Sequence, residues 1–356
     1  MNNIVNNISV QSPFKPVRPL GKRTPIRITQ EELVTSSPLS PGQKLPLLIE
    51  PRVGRIDVAA WIASQREWIV SQLYTSGGIL LRGFQIASVG EFEQVCRALS
   101  GELMEYSYRS TPRHTVEGHI YTSTEYPEDQ NIPLHNENSY AGSWPMKIWF
   151  YCRQPAITGG QSPIADSRRV FQRISPEIRE RFAAKQVMYV RNYGSGIDLP
   201  WQTVFQTNTP AEVEAFCRAA QIDWKWEAGD RLKTWQVRQA VAQHPQTGEM
   251  VWFNQAHLFH ITNLPADVRE SLLETFGEEG LPRHSFYGDG SAIEPEALAE
   301  IRRAYEEETI EFDWESGDLL LLDNMLTAHS RRPYTGPRSV LVGMAEPNQT
   351  QEAAAV

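Results

Sequence analysis

Residues 317–344 read GDLLLLDNMLTAHSRRPYTGPRSVLVGM. The four leucines between Asp318 and Asp323 form a short, unbroken apolar run, the pattern of a strand buried on both faces. RSVLVGMAE (338–346) reads as a second strand, with MLTAHSRRPYTGP (325–337) as the connection. A strand as apolar as 318–323 is expected to deliver its end, and with it His329, to the mouth of a β core. Further strands are expected at 79–84 (ILLRGF), 146–154 (MKIWFYCRQ), 187–193 (VMYVRNY), 231–237 (RLKTWQV) and 250–255 (MVWFNQ), short runs rich in aromatic and β-branched residues. Helical spacing predicts one helix over 56–75, stopped by SGG, and others at 89–101, 210–220, 265–276 and 295–308. After the glycines of GGQS (159–162) the chain is expected to make a short strand. It then enters a helix with Asp166 or Ser167 as N-cap. Residues 102–133 read as irregular or as short strands. Strands dominate the middle and end without βα alternation. The fold class is therefore mainly β with α insertions, a double-sheet core with helices outside, rather than a doubly wound sheet.

The chain has 356 residues, 40% hydrophobic and 22% charged, a composition that supports a large buried core. Residues 1–45, rich in Pro, Ser and Asn, read as an N-terminal arm; 46–350 read as one domain with helical insertions, and 351–356 as a tail. The net charge of −9 disfavours non-specific nucleic-acid binding. No run of eighteen apolar residues exists to span a membrane, and the N-terminus lacks the apolar segment of a secretory signal. Three scattered cysteines (Cys96, Cys152, Cys217) without a CxxC pair fit reduced thiols in a cytoplasm.

LHNENSY (134–140) places a His and a carboxylate two apart. If 134–138 is extended, His135 and Glu137 share one face. An HxE pair also arises by chance, and two ligands make a poor site; His329 supplies a third. Two His and one carboxylate form the facial triad, which leaves three positions of an octahedral iron(II) open for oxygen chemistry. Zinc favours a closed tetrahedron or a single open position. Arg338, nine residues after His329 at the start of a strand, adds a guanidinium that can take a carboxylate in two-point fashion beside the metal. Its alternative is a surface ion pair.

With these residues the chain resembles the taurine dioxygenase-like (TauD/TfdA) family of iron(II)/2-oxoglutarate-dependent oxygenases, in its SyrP-like, clavaminate synthase-like branch. LHNENSY, WPMKIWFYC, GGQSPIADSR, WFNQAHLFH and the 317–344 stretch carry the resemblance across roughly residues 75 to 346. It implies a distorted double-stranded β-helix, a jelly-roll, cupin-like core with flanking helices. It implies iron ligands at His135, Glu137 and His329, with Glu where much of the family has Asp. It further implies a 2-oxoglutarate clamp at Arg338 and a hydroxyl contact at Ser162, where the family usually has Thr. Arg331 and Arg332, before Pro333, read instead as loop surface. The cofactor set implied is Fe(II), 2-oxoglutarate as co-substrate, and O2. The reaction implied is loss of CO2 from 2-oxoglutarate to leave succinate, coupled to attack on an unactivated C–H bond.

Related halogenases lack the carboxylate ligand, so Glu137 points to hydroxylation. The expected substrate is an amino-acid-like small molecule of specialised metabolism, free or tethered to a peptidyl carrier protein. Alternatives are a desaturase or cyclase on the same scaffold, a non-catalytic small-molecule-binding protein of the same fold and, weakest, a zinc hydrolase. Candidate substrate contacts are Asn131, Arg113, His257 and Asn254; of the two histidines in NQAHLFH, His257 and His260, at least one is expected to serve core hydrogen bonding. Trp144 and Trp201 are core residues by default and pocket walls at most. The Arg pairs 168–169 and 331–332 read as solvated charges, with an acidic carrier as the alternative partner.

Overall fold

The leucine run becomes the strand Leu319–Asp323, buried at every position, because it lies inside an eight-stranded sheet. The computed structural model describes residues 33–105, 114–123 and 126–349. In spatial order the large sheet holds Val34–Pro38, Leu47–Pro51, Gly78–Leu81, Leu319–Asp323, Ser143–Gln154, Ser339–Gln349, Ile120–Thr122 and Thr115–Glu117. Leu319–Asp323 pairs antiparallel with neighbours on both sides; Leu47–Pro51 and Gly78–Leu81 run parallel. Its first strand falls within residues 1–45, so part of the expected arm belongs to the sheet.

The period-two alternation of a strand sorts these side chains onto two faces. Leu319, Leu321, Trp149, Tyr151 and Leu341 pack with Ile62, Leu73 and Phe92 of the helices Val58–Ser64, Arg66–Ser76 and Val89–Ser100. Leu320, Leu322, Ile148, Phe150, Val340 and Val342 face the other way and meet Ile164. Ile164 belongs to a three-stranded sheet of Ile132–His135, Thr327–Arg331 and Ile164–Asp166. A separate four-stranded sheet, Asp223–Glu227, Arg231–Arg238, Val187–Tyr193 and Arg283–Tyr287, contributes to a second large core with Tyr189, Phe182, Trp252 and Leu298.

Three local expectations fail for identifiable reasons. The predicted helix over 56–75 breaks at Gln65, whose backbone (φ −112°, ψ 18°) leaves helical geometry; apolar periodicity continues through the break and does not register it. The run at 250–255 stops as a strand at Trp252. Asn254 turns the chain by accepting from the Ala256 N–H at 3.0 Å and donating to the Ala240 carbonyl at 2.7 Å. The supposed connection at 325–337 contains the strand Thr327–Arg331. Asp323 accepts from the backbone N–H groups of Met325 and Leu326, both at 3.0 Å, and folds the chain back. His329 therefore sits within this return strand and not at the end of the leucine strand. As expected, Asp166 caps the helix Ser167–Arg173, and helices occupy Pro210–Ala219, Ala266–Phe276 and Pro295–Glu307. No helix among the described residues is long and apolar enough to cross a membrane.

Trp149, fully buried where the large sheet meets its helices, tests this architecture. Trp149→Ala is expected to lower unfolding free energy by about 3–5 kcal/mol, read from the urea midpoint.

Candidate metal centre

In the three-stranded sheet His329 stands directly opposite His135, and their ring centroids lie 4.5 Å apart. Both strands are extended there, so register alone brings the two imidazoles together. Glu137 arrives differently. The strand ends at His135 and the chain turns, with Asn138 at φ 57°, so Glu137 is not the next inward position of a strand. Asn324, completely buried, holds it. The Asn324 side-chain oxygen accepts from the Glu137 N–H at 2.7 Å. Its amide donates to the carbonyls of Glu137 and Pro145, both at 2.9 Å. Asn136 closes the turn by donating to the Asn324 carbonyl at 2.6 Å and to Ser167 Oγ at 3.0 Å.

The result is a compact donor set. One ligand atom from each of His135, Glu137 and His329 lies within 4.8 Å of the others, and His329 Nε2 is 3.8 Å from Glu137 Oε2. His135 Nδ1 is 2.8 Å from the Pro133 carbonyl. A carbonyl only accepts, so Nδ1 carries the proton and Nε2 keeps its lone pair for a metal. Two imidazoles and one carboxylate suit a divalent iron with open positions. Phe150, edge-on to His329 at 5.1 Å, walls one side.

Beside this set lies a narrow pocket bounded by Ser162, Arg331, Arg338, Phe150 and Val340. Arg338 donates to the Gly160 carbonyl at 3.0 Å and approaches Ser123 Oγ at 3.4 Å and Ser162 Oγ at 3.5 Å. Ser162 also accepts from Trp314 Nε1 at 3.1 Å. The two glycines before it make the approach possible. Gly159 and Gly160 have φ of 68° and 74°, and a Cβ on Gly159 would run into the Pro333 carbonyl. Among the described residues no carboxylate pairs with Arg338 or Arg331. Burial, then the neighbouring charge of Arg331, pushes the Arg338 guanidinium down to about 10.

On its other side the donor set opens into a cleft of about 390 Å3 that includes His135, Glu137, Tyr140, Gln255, Asp198 and Arg283. Asp198 is gripped by Arg283 at 2.5 and 2.6 Å and approached by Arg191 at 3.3 Å. Burial alone would raise its carboxyl pKa, but the bonds from Arg283 outweigh that and hold it near 2.

The model of the taurine catabolism dioxygenase TauD, TfdA family matches residues 36–345. The chain belongs to this family. It is an iron(II)/2-oxoglutarate-dependent oxygenase. It is 42% identical over 275 residues to the dapdiamide synthesis protein DdaC of Enterobacter agglomerans, covering 77% of this chain and 84% of that one. A clavaminate synthase-like protein of Arabidopsis thaliana is 29% identical over 343 residues, 89% of this chain and 99% of the relative. In structure the chain is similar to PvcB of Pseudomonas aeruginosa, with a TM-score of 0.53 at 18% identity across 88% and 91% of the two chains.

Within this TauD-family chain the remaining candidates scatter. Asn131 is exposed on the cleft wall. Arg113 lies outside the described residues. His257 and Asn254 do not line the cleft. The His257 ring is 3.1 Å from the Leu134 carbonyl and packs on Tyr305 at 4.8 Å, bracing the backbone next to His135. Asn254 serves the turn described above. His257 is thus the core hydrogen-bonding histidine, while His260 borders the cleft with Nδ1 2.9 Å from Thr262 Oγ1. Trp144 and Trp201 are core residues, packed on Phe253 and Trp226. Arg168 is bound to Asp166 and Glu249, and Arg169 to Glu308. Arg332 pairs with Glu311. Arg331 is not loop surface: it is 5% exposed, because it ends the His329 strand against Ile132. Asn324 and Asn136 escaped sequence reading. The available signal was a polar pair, Asp-Asn, ending a run of four leucines.

Two outcomes are expected. Asn324→Ala strands the Glu137 N–H and two buried carbonyls and should cost about 1–3 kcal/mol, measured by denaturant unfolding. Burial pushes His257 and His260 from an ordinary 6.5 down to about 3. Between these values the unfolded chain binds protons that the folded chain refuses, so stability falls as pH drops from 6.5 towards 3. Melting temperatures across that window should decline, and less steeply in His260→Gln.

Proposed function

We propose that this oxygenase hydroxylates an unactivated C–H bond of an amino-acid-like small molecule in natural-product biosynthesis. In this reading His135, Glu137 and His329 hold iron(II). Arg338 and Ser162 take the distal carboxylate of 2-oxoglutarate, and the 390 Å3 cleft takes the substrate. The observation that carries it is the juxtaposition of a three-donor set within 4.8 Å with a half-buried guanidinium, that of Arg338, which has no acid of its own among the described residues. A cation drawn out of water without a counter-charge is costly, and a carboxylate ligand supplies the missing partner. Iron(II), with 2-oxoglutarate and O2, supplies the oxidising power when bound.

The protein's share is positional. Glu137 occupies a ligand position that would otherwise be open, which favours oxygen transfer to the substrate. Phe150 and Val340 keep the co-substrate end apolar, strengthening the Arg338 contact. The cleft presents Asp198, Arg283 and Gln255 to a polar, charged substrate. The overall balance is C–H plus 2-oxoglutarate plus O2 giving C–OH, succinate and CO2. Similarity to a dapdiamide synthesis protein supports a role in specialised metabolism and keeps carrier-tethered substrates in the panel. We also read the large and small facing sheets as a distorted double-stranded β-helix within one oxygenase domain. Three buried free cysteines accord with a cytoplasmic setting.

The test is mass spectrometry of free and carrier-bound amino acids incubated with enzyme, iron(II), 2-oxoglutarate and air. A gain of one oxygen with equimolar succinate is expected. Loss of two hydrogens would replace hydroxylation with desaturation or cyclisation, and no succinate with any member of the panel would overturn the reading. Removing a ligand should exceed the 10–100-fold cost of removing an outer support, so Glu137→Ala is expected to cut succinate release by more than about 100-fold. Arg338→Gln should weaken 2-oxoglutarate binding by about 10–100-fold, the worth of a charged hydrogen-bond pair, as measured by calorimetry with Mn(II) in place of iron.

A further inference from the structure

Arg331 is a second cation in the narrow pocket, and unlike Arg338 it is buried. Its guanidinium donates to three backbone carbonyls of one turn: Tyr126 at 2.8 Å, Pro127 at 2.5 Å and Gln130 at 2.7 Å. The Tyr334 N–H reaches the same turn, donating to the Glu128 carbonyl at 2.9 Å. The 126–133 segment walls the large cleft with Tyr126, Asn131, Ile132 and Pro133. Ile132 and His135 border the narrow pocket as well. This segment is thus the partition between the two spaces, and Arg331 is its anchor.

The anchor is tied electrostatically to the other space. Arg331 and Arg338 both lie over the Tyr334 ring, at 5.2 and 5.5 Å from its centre. Neither has a carboxylate partner among the described residues, although Glu128 in the anchored turn attracts Arg331 from a distance. Arg331 Nε is buried without a hydrogen-bond partner. Two like charges sharing one ring repel, and an anion entering beside Arg338 relieves both.

We propose that Arg331 is a positioning residue that transmits 2-oxoglutarate binding to the wall of the substrate cleft, so that seating the co-substrate firms the anchored wall further. The proposal rests on the reading of Arg338 as the co-substrate clamp. Arginine is required because its planar fork reaches three carbonyls at once; a lysine keeps the charge and loses the fork.

Hydrogen–deuterium exchange of the full-length protein tests it, with Mn(II) in place of iron and with or without 2-oxoglutarate. In the wild type, 2-oxoglutarate should slow exchange in the 126–133 segment by about tenfold or more. In Arg331→Lys, 2-oxoglutarate should still bind by calorimetry, while the segment exchanges fast in both states. Exchange in the strands Ser143–Gln154 and Ser339–Gln349 should stay unchanged, which reports an intact fold. If Arg331→Lys disturbs those strands, Arg331→Gln and Tyr334→Leu, which remove the charge and the shared ring respectively, make the same comparison. Wild-type protein that binds 2-oxoglutarate without slowing of this segment overturns the proposal and leaves the function standing. So does an Arg331→Lys segment that still responds. No 2-oxoglutarate binding by the wild type overturns the function itself.

Discussion

Asn324 ties the turn that carries Glu137 to the large sheet through one buried side chain. Its side chain and carbonyl bond Glu137, Pro145 and Asn136, which belong to the turn after the His135 strand and to a central strand of the large sheet. Without that carboxamide the carboxylate would ride on a turn with an unpaired N–H in a dry interior. The two histidines need no such help, since antiparallel register sets them opposite each other. The proposed site therefore combines two ligands given by strand geometry with a third given by one buried side chain. Specificity of this kind depends on full satisfaction: every donor and acceptor of Asn324 used here meets a backbone partner or Asn136.

The same economy governs charge. Asp318 takes Arg82 in a half-buried ion pair, and Asp323 bonds the buried His244 ring; both are of ordinary structural kind. Arg331 and Arg338 differ because their described partners are carbonyls, hydroxyls and a tyrosine ring. Carbonyl dipoles satisfy hydrogen-bonding geometry while leaving the net charge uncompensated. Under the proposed function, an anion such as the 2-oxoglutarate dianion, with a carboxylate at each end, would bridge this surplus positive charge and the donor set.

Much of this was legible in the sequence, and what was not has a common cause. The strands at 143–154, 187–193, 231–238, 319–323 and 339–349 and most helices follow from local pattern, because burial on one or both faces writes a period of two or 3.6 into the chain. His135, Glu137, His329 and Arg338 could be named because residue type and spacing limit what such groups do. The route by which Glu137 and His329 reach the site was not legible. Each depends on a side chain closing a turn, Asn324 for one and Asp323 for the other, and those bonds join residues up to 187 positions apart. Arg331 failed for a related reason. Two adjacent arginines before a proline carry a loop's composition, yet strand alternation turns Arg331 inward to the 126–130 carbonyls and Arg332 outward to Glu311. His257 and Asn254 were attractive as polar residues near an aromatic run. The Asn254 side chain and His257 Nε2 instead serve backbone groups that a tightly folded segment would otherwise leave unpaired.

The two sides of the donor set obey different rules, and this bears on what varies. The Arg338 side is built from strands and a glycine turn packed against the large sheet, so its backbone geometry leaves little room for change. The cleft side draws on the turn at 126–131, the segment at 197–198, the short helical stretch 255–264 and residues 282–283 at a strand start. Asp198 and Arg283 are the best-fixed charges in it, locked to each other while Arg191 approaches the same carboxylate. Under the proposed function a substrate would meet this ion pair in the cleft wall. Such an arrangement would fix one polar end of the ligand and leave its length and far end to the sequence of the surrounding segments.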